Sequence, residues 1–170
     1  MKNTFLIIAV IFSFTATAQV TKVSLQASGL TCSMCSNAIN KAIKSLDFVD
    51  KVDANIKNST FDISFKQNAV IDFDKLKKKV EDAGFFVASF TANIQFDNVA
   101  IANDTHVNVG ANDFHFLNVK DQTLSGNKTI KILDKGFIPA KEYKKNGSLT
   151  KMSCYKTGEE NGKRIFHVTI

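Results

Sequence analysis

GLTCSMCSNAINKAIKSL, residues 29–46, places a Cys-x-x-Cys pair where an apolar pattern begins to recur at helical spacing. Cys35, Ile39, Ala42, Ile43 and Leu46 fall on one face of a helix, and Lys41 and Lys44 face away. Just upstream, KVSLQAS (22–28) alternates Val23, Leu25 and Ala27, the two-residue period of a half-buried strand. The stretch therefore reads as strand, thiol-bearing loop, helix. A metal ion, a redox dithiol and a plain cross-link would each suit such a pair, so the surrounding elements have to decide.

Downstream, VDKVDANI (49–56) and TFDISF (60–65) flank the turn residues Lys57, Asn58 and Ser59. Phe61, Ile63 and Phe65 alternate in the second run, so the two read as a hairpin. Asp72 is an N-cap candidate for a second helix carrying Phe73, Leu76, Val80 and Ala83 on one face. Gly84 would end that helix as a left-handed residue, and FFVASF (85–90) follows as a strand. The order strand, helix, strand, strand, helix, strand is the ferredoxin-like split β-α-β arrangement.

Residues 22–90 resemble the heavy-metal-associated domain family of copper chaperones, periplasmic mercury-binding proteins and metal-binding domains of copper-exporting ATPases. The family's Gly-Met-Thr-Cys-x-x-Cys stands here as Gly29-Leu30-Thr31-Cys32-Ser33-Met34-Cys35, and its Glu-Asp-Ala-Gly-Tyr/Phe as Glu81-Asp82-Ala83-Gly84-Phe85. Leu30 departs from the usual Met but keeps its volume and apolarity. The resemblance implies copper. The residues alone imply a soft thiophilic ion, with mercury, silver, zinc or cadmium as the other candidates.

From about Thr91 no helical period is visible. Short alternating runs (Ile94 and Phe96, Val107 and Val109, Phe114 and Phe116, Ile130 and Ile132) are separated by Asn, Asp and Gly. Pro139 opens a short helix over 139–146. SLTKMSCYKTG (148–158) and KRIFHVTI (163–170) read as a closing hairpin. The expected fold class is α+β: a ferredoxin-like domain over 19–91, then an abutting all-β domain over 92–170, an OB-like barrel or sandwich.

Residues 1–18 read as a signal peptide, with an apolar run from Phe5 to Phe14 and Ala16-Thr17-Ala18 before the expected cut. An exported chain, secreted or periplasmic, is expected, with no stable membrane insertion after cleavage. The net charge of +6 is spread as isolated Lys among acids, without an Arg cluster, so nucleic acid is not an expected partner. The densest basic run, Lys77-Lys78-Lys79, reads as the outer face of its helix. Three Cys are too few and too odd in number for a disulfide framework.

The chemistry centres on Cys32 and Cys35. Cu(I) favours thiolates and tolerates two-coordinate geometry, and a helix start lowers thiol pKa. An open pair lets a partner's thiolate enter, so the expected partner is a metal donor or acceptor protein. Structural zinc normally wants four ligands. Cys32 should be the outer sulfur and Cys35 the anchoring one. Thr31 is placed to cap the helix or steady the loop. Phe85 either shields the loop, as the resemblance implies, or simply packs in the core. Met34 is a thioether candidate or an exposed spacer.

In the second half, Met152 and Cys154 would share one strand face with His167 on the neighbouring strand, as a second soft-metal site or as a buried thiol beside a half-buried His. His106 and His115 could face each other across a hairpin, but isolated surface His is the more common outcome and they stay outside the site. No acid–base or phosphate-binding constellation stands out, so a binding protein and not an enzyme is expected. The alternatives are a thiol–disulfide redox protein, for which the thioredoxin-type neighbours are absent, and a metal-free interaction module.

Overall fold

The structure is a computed structural model that describes residues 19–30 and 32–170, so the leader read at 1–18 and Thr31 lie outside the described residues. The first half follows the expected order: β1 (Gln19–Ser28), α1 (Ser33–Lys44), β2 (Val49–Asn55), β3 (Thr60–Phe65), α2 (Phe73–Asp82) and β4 (Phe86–Ile101). Val23, Leu25, Phe61 and Ile63 are buried on one sheet face, under Ile39 and Ile43 of α1 and Phe73, Leu76 and Val80 of α2. Asp72 caps α2, its carboxylate accepting from the Lys75 backbone N–H at 3.0 Å.

Gly84 follows α2 at φ +87°, and no atom lies within 4 Å of where a Cβ would stand. The cost of Gly84→Ala is therefore conformational and not steric. We expect a loss of about 1–2 kcal/mol, read from a urea unfolding midpoint. A larger loss would mean that the loop after α2 is also displaced.

The second half comprises β5 (Thr105–Val109), β6 (Asn112–Phe116), β7 (Gln122–Ile132), α3 (Ala140–Asn146), α4 (Cys154–Thr157), β8 (Glu159–Glu160) and β9 (Lys163–Thr169). It does not close into a barrel or form a separate sandwich. Its strands continue the first sheet in the order β2-β3-β1-β4-β7-β9-β6-β5, with β8 paired to β9. The physical reason lies in β4. This strand runs 16 residues, through the 91/92 position, and gives one edge to β1 and the other to β7. A bulge between Phe96 and Val99 lets the long β4–β7 ladder bend. Pairing is antiparallel except for β6 with β9, which is parallel.

One apolar core serves both halves. Phe73 of α2 packs edge-on against Phe90 of β4 (5.3 Å between centroids) and Phe166 of β9 (5.2 Å). Phe137 closes the group, 5.1 Å from Phe90 and 6.0 Å from Phe166. The basic run on α2 is only partly an outer face: Lys77 is largely covered, its ammonium 4.8 Å from the Phe137 ring and 3.1 Å from Asp74. Among the described residues, no helix is long and apolar enough to cross a membrane.

Candidate metal centre

The pair sits where β1 ends and α1 begins. Gly29 turns the chain at φ +83°, a conformation that favours glycine, and Leu30 tucks against the core. Phe85 lies beneath this turn, its Cδ1 at 4.0 Å from where a Gly29 Cβ would stand, and is itself partly buried against the core. Cys32 is the N-cap of α1. Its Sγ accepts from the Cys35 backbone N–H at 3.3 Å, taking the place that a Ser or Asp oxygen usually fills.

The two sulfurs stand 2.6 Å apart. Cys32 is exposed and Cys35 half-buried, so the pair opens to solvent on the Cys32 side. The contact with the Cys35 side chain, and then with its backbone N–H, holds the Cys32 thiol below its ordinary pKa. The first turn of α1 carries no acid, which leaves the positive end of the helix facing the sulfurs. Met34 is 81% exposed and points away from the core. Phe86, next to Phe85, is 71% exposed. Two adjacent, polarisable sulfurs on an open helix start suit a soft ion entering from solvent.

The heavy-metal-associated domain matches residues 24–86. Over 63 residues the chain is 38% identical to the mercuric transport protein periplasmic component of Pseudomonas fluorescens, covering 37% of this chain and 68% of that protein. The chain belongs to the heavy-metal-associated family. A probable copper-exporting P-type ATPase of Archaeoglobus fulgidus is 34% identical over 71 residues, which is 42% of this chain but 9% of the ATPase. The solved structure of oxidized MerP from Ralstonia metallidurans CH34 aligns at 32% identity over 42% of this chain and 94% of that one, with a TM-score of 0.37. The family match stops short of the C-terminal half.

In that half the structure corrects the expected geometry. Met152 and Cys154 do not share a strand face. Ser153 leads into the single turn of α4, which Gly158 closes at φ 75° with its N–H on the Cys154 carbonyl at 2.7 Å. Cys154 is thereby turned inward, 2% exposed, while Met152 stays outside at 41%. The Gly158 stop after Lys156-Thr157 was the sequence signal for a helical turn there. His167 does reach Cys154, with Nε2 at 3.4 Å from Sγ.

His106 and His115, set aside as surface residues, face each other across the β5–β6 hairpin in direct register, with ring centroids 4.4 Å apart. His115 is fully buried. Burial, and then the charges His106 and His167 would carry, push its pKa down to about 4 against the pull of Asp104. Cys154 moves the opposite way from Cys32: burial, and then Glu160, raise its thiol.

Proposed function

We infer that the protein binds Cu(I) through Cys32 and Cys35 and buffers it or passes it to a partner protein. The observation that carries this reading is the placing of both sulfurs together, one of them exposed, at the start of a helix inside a heavy-metal-associated domain. Cu(I) entering there would be held by two thiolates and displace their protons. The exposed Cys32 side leaves room for a third sulfur from a metal donor or acceptor, so the ion can move between proteins by ligand exchange. Exposed Met34 and Phe86 offer such a partner apolar contacts. Within the core, Phe85 and Leu30 fix the loop. Export to a periplasmic or extracellular space is part of the proposal. It rests on the leader-like residues 1–18 and on likeness to a protein named as a periplasmic component.

The test is titration of the reduced protein with Cu(I) against a competing chelator, beside a Cys32→Ser/Cys35→Ser variant. One tight equivalent, absent from the variant, is the expected result. Equal uptake by both proteins would end the reading. A pair that instead cycles between dithiol and disulfide with a protein reductant, without taking Cu(I), would replace it with redox chemistry.

A further inference from the structure

Three adjacent strands carry one His each, and strand register lines them up. His106 of β5 pairs with His115 of β6, and His115 pairs with His167 of β9. Side chains alternate across a sheet, so these rings project from the face opposite Phe114 and Phe166, which point into the apolar core. Over the three rings sits Cys154 of α4. Its Sγ lies 3.7 Å from His106 Nε2, 3.5 Å from His115 Nδ1 and 3.4 Å from His167 Nε2.

The outer nitrogen of every ring meets a carboxylate. His106 Nδ1 is 2.7 Å from Glu160, His115 Nε2 is 2.9 Å from Asp104, and His167 Nδ1 is 2.6 Å from Asp134. An N–H donated outward to each carboxylate leaves the inner nitrogen of each neutral ring with its lone pair directed at the sulfur. A single thiol proton can satisfy only one of those three lone pairs. This donor set, with carboxylates fixing the tautomer of each imidazole, is the arrangement that orients histidines on a metal ion.

We propose that His106, His115, His167 and Cys154 form a second metal site, distinct from the Cys32/Cys35 pair, for a divalent first-row ion of the zinc class. The sulfur-to-nitrogen distances agree with this. An ion bound at about 2.3 Å from sulfur and about 2.0 Å from nitrogen, with tetrahedral angles, holds S and N about 3.5 Å apart. The donor atoms of His106, His115 and Cys154 lie within 4.8 Å of one another, and His167 joins them through its Nε2 at 3.4 Å from the sulfur, so closure on an ion draws the rings inward around Cys154. Three imidazoles and one thiolate are harder than a thiolate pair and favour a divalent ion over Cu(I). On binding, the Cys154 thiol loses its proton to solvent and its sulfur takes the ion as a thiolate. A pocket of about 270 Å³ beside His106, lined also by Asn108, Asp113 and Glu160, gives access from the half-buried rim.

The same Cys154–His167–Asp134 line would also describe a nucleophile, base and orienting acid. Two features favour the metal. A nucleophile needs one imidazole and not three, and Cys154 is buried away from any substrate.

Co²⁺ is the probe, added to the full chain carrying Cys32→Ser/Cys35→Ser, so that failure of the Cu(I) reading leaves this test intact. One equivalent should give a thiolate-to-cobalt charge-transfer band with the strong visible bands of a tetrahedral ion, and Zn²⁺ should displace it. Cys154→Ser should abolish the charge-transfer band. Asp104→Ala, which removes the outer partner of His115 without altering a donor atom, should keep the spectrum and weaken binding about ten- to hundredfold. Should the Cys154 variant fail to fold, His106→Gln at the rim tests the same site by loss of affinity. No one-to-one uptake, or uptake indifferent to Cys154 and His106, overturns the proposal. Rapid alkylation of Cys154 in a chain that takes no Co²⁺ overturns it in favour of the nucleophile.

Discussion

Phe73→Ala is expected to lower the unfolding free energy by about 3–5 kcal/mol, the usual cost of removing a fully buried aromatic ring. Phe73 is fully buried, and it touches rings from both halves of the sequence: Phe90 on β4, and Phe114 and Phe166 on β6 and β9. Edge-on aromatic pairs add about 0.5–1.5 kcal/mol each beyond buried area, which places this position toward the upper part of the range. The side chain lies in the first half, yet its loss should be felt equally in the second. A direct readout exists, because the chain has no Trp and its only tyrosines, Tyr143 and Tyr155, lie in the second half. Tyrosine fluorescence and far-UV circular dichroism should therefore shift to lower urea together, with coincident midpoints. A tyrosine midpoint left at the wild-type value while the far-UV signal moves would show two independent cores. Phe73→Leu, which keeps most of the volume, should cost a fraction as much.

That shared core explains what the sequence could and could not reveal. Val23, Leu25 and Ala27 in β1 and Phe73, Leu76 and Val80 in α2 repeat with clean periods, because each of these elements has one wet face. The Asp72 cap and the Gly84 stop are local chemistry, readable without knowing any neighbour. Strand pairing is not local. Ile94 and Phe96 alternate like the start of a new domain, yet they lie within a strand that began at Phe86. Alternation tells which face of a strand is dry, not which edge finds a partner. Nothing in the short runs of the second half says that β7 adds to β4.

The thiol pair was legible because two residues at i and i+3 on one helix start meet whatever the rest of the chain does. The His cluster was not, for the converse reason. His106, His115 and His167 lie on three strands, and Cys154 comes from a helical turn between them in sequence. Only the order β9-β6-β5 brings the rings into a row. The hairpin facing of His106 and His115 could be read from their separation around Gly110. Burial of His115 depends on β9 lying alongside, which no spacing encodes.

Arg164→Met is expected to cost about 3 kcal/mol at neutral pH, the lower end for breaking a desolvated ion pair, since the guanidinium keeps some contact with water. Arg164 joins elements distant in sequence. Its Nε donates to Asp74 of α2 at 2.8 Å, and its Nη2 stands 3.0 Å from Asp134, an ion pair whose angle falls short of a hydrogen bond. Its Nη1 donates to the carbonyls of Gly158 and Ile165, and the guanidinium lies 4.1 Å over the Phe166 ring. Met keeps the apolar stem over Phe166 but removes the charge and every donor. Burial works to raise the Asp74 carboxyl, and the hydrogen bond and charge of Arg164, followed by those of Lys77, override it and hold the group below the usual carboxylate range. The sign follows. Above the unfolded carboxylate pKa of about 3.9 this contribution is fully present, and it is lost as pH falls toward the depressed native value, because the unfolded chain binds the proton first. Wild type should thus lose stability steeply below about pH 4. The variant, already without the pair, should lose less there, so the gap in melting temperature between the two narrows as the solution is acidified. A gap that stays constant from neutral pH to below pH 4 would mean that Arg164 acts through packing on Phe166, with its charge contributing nothing.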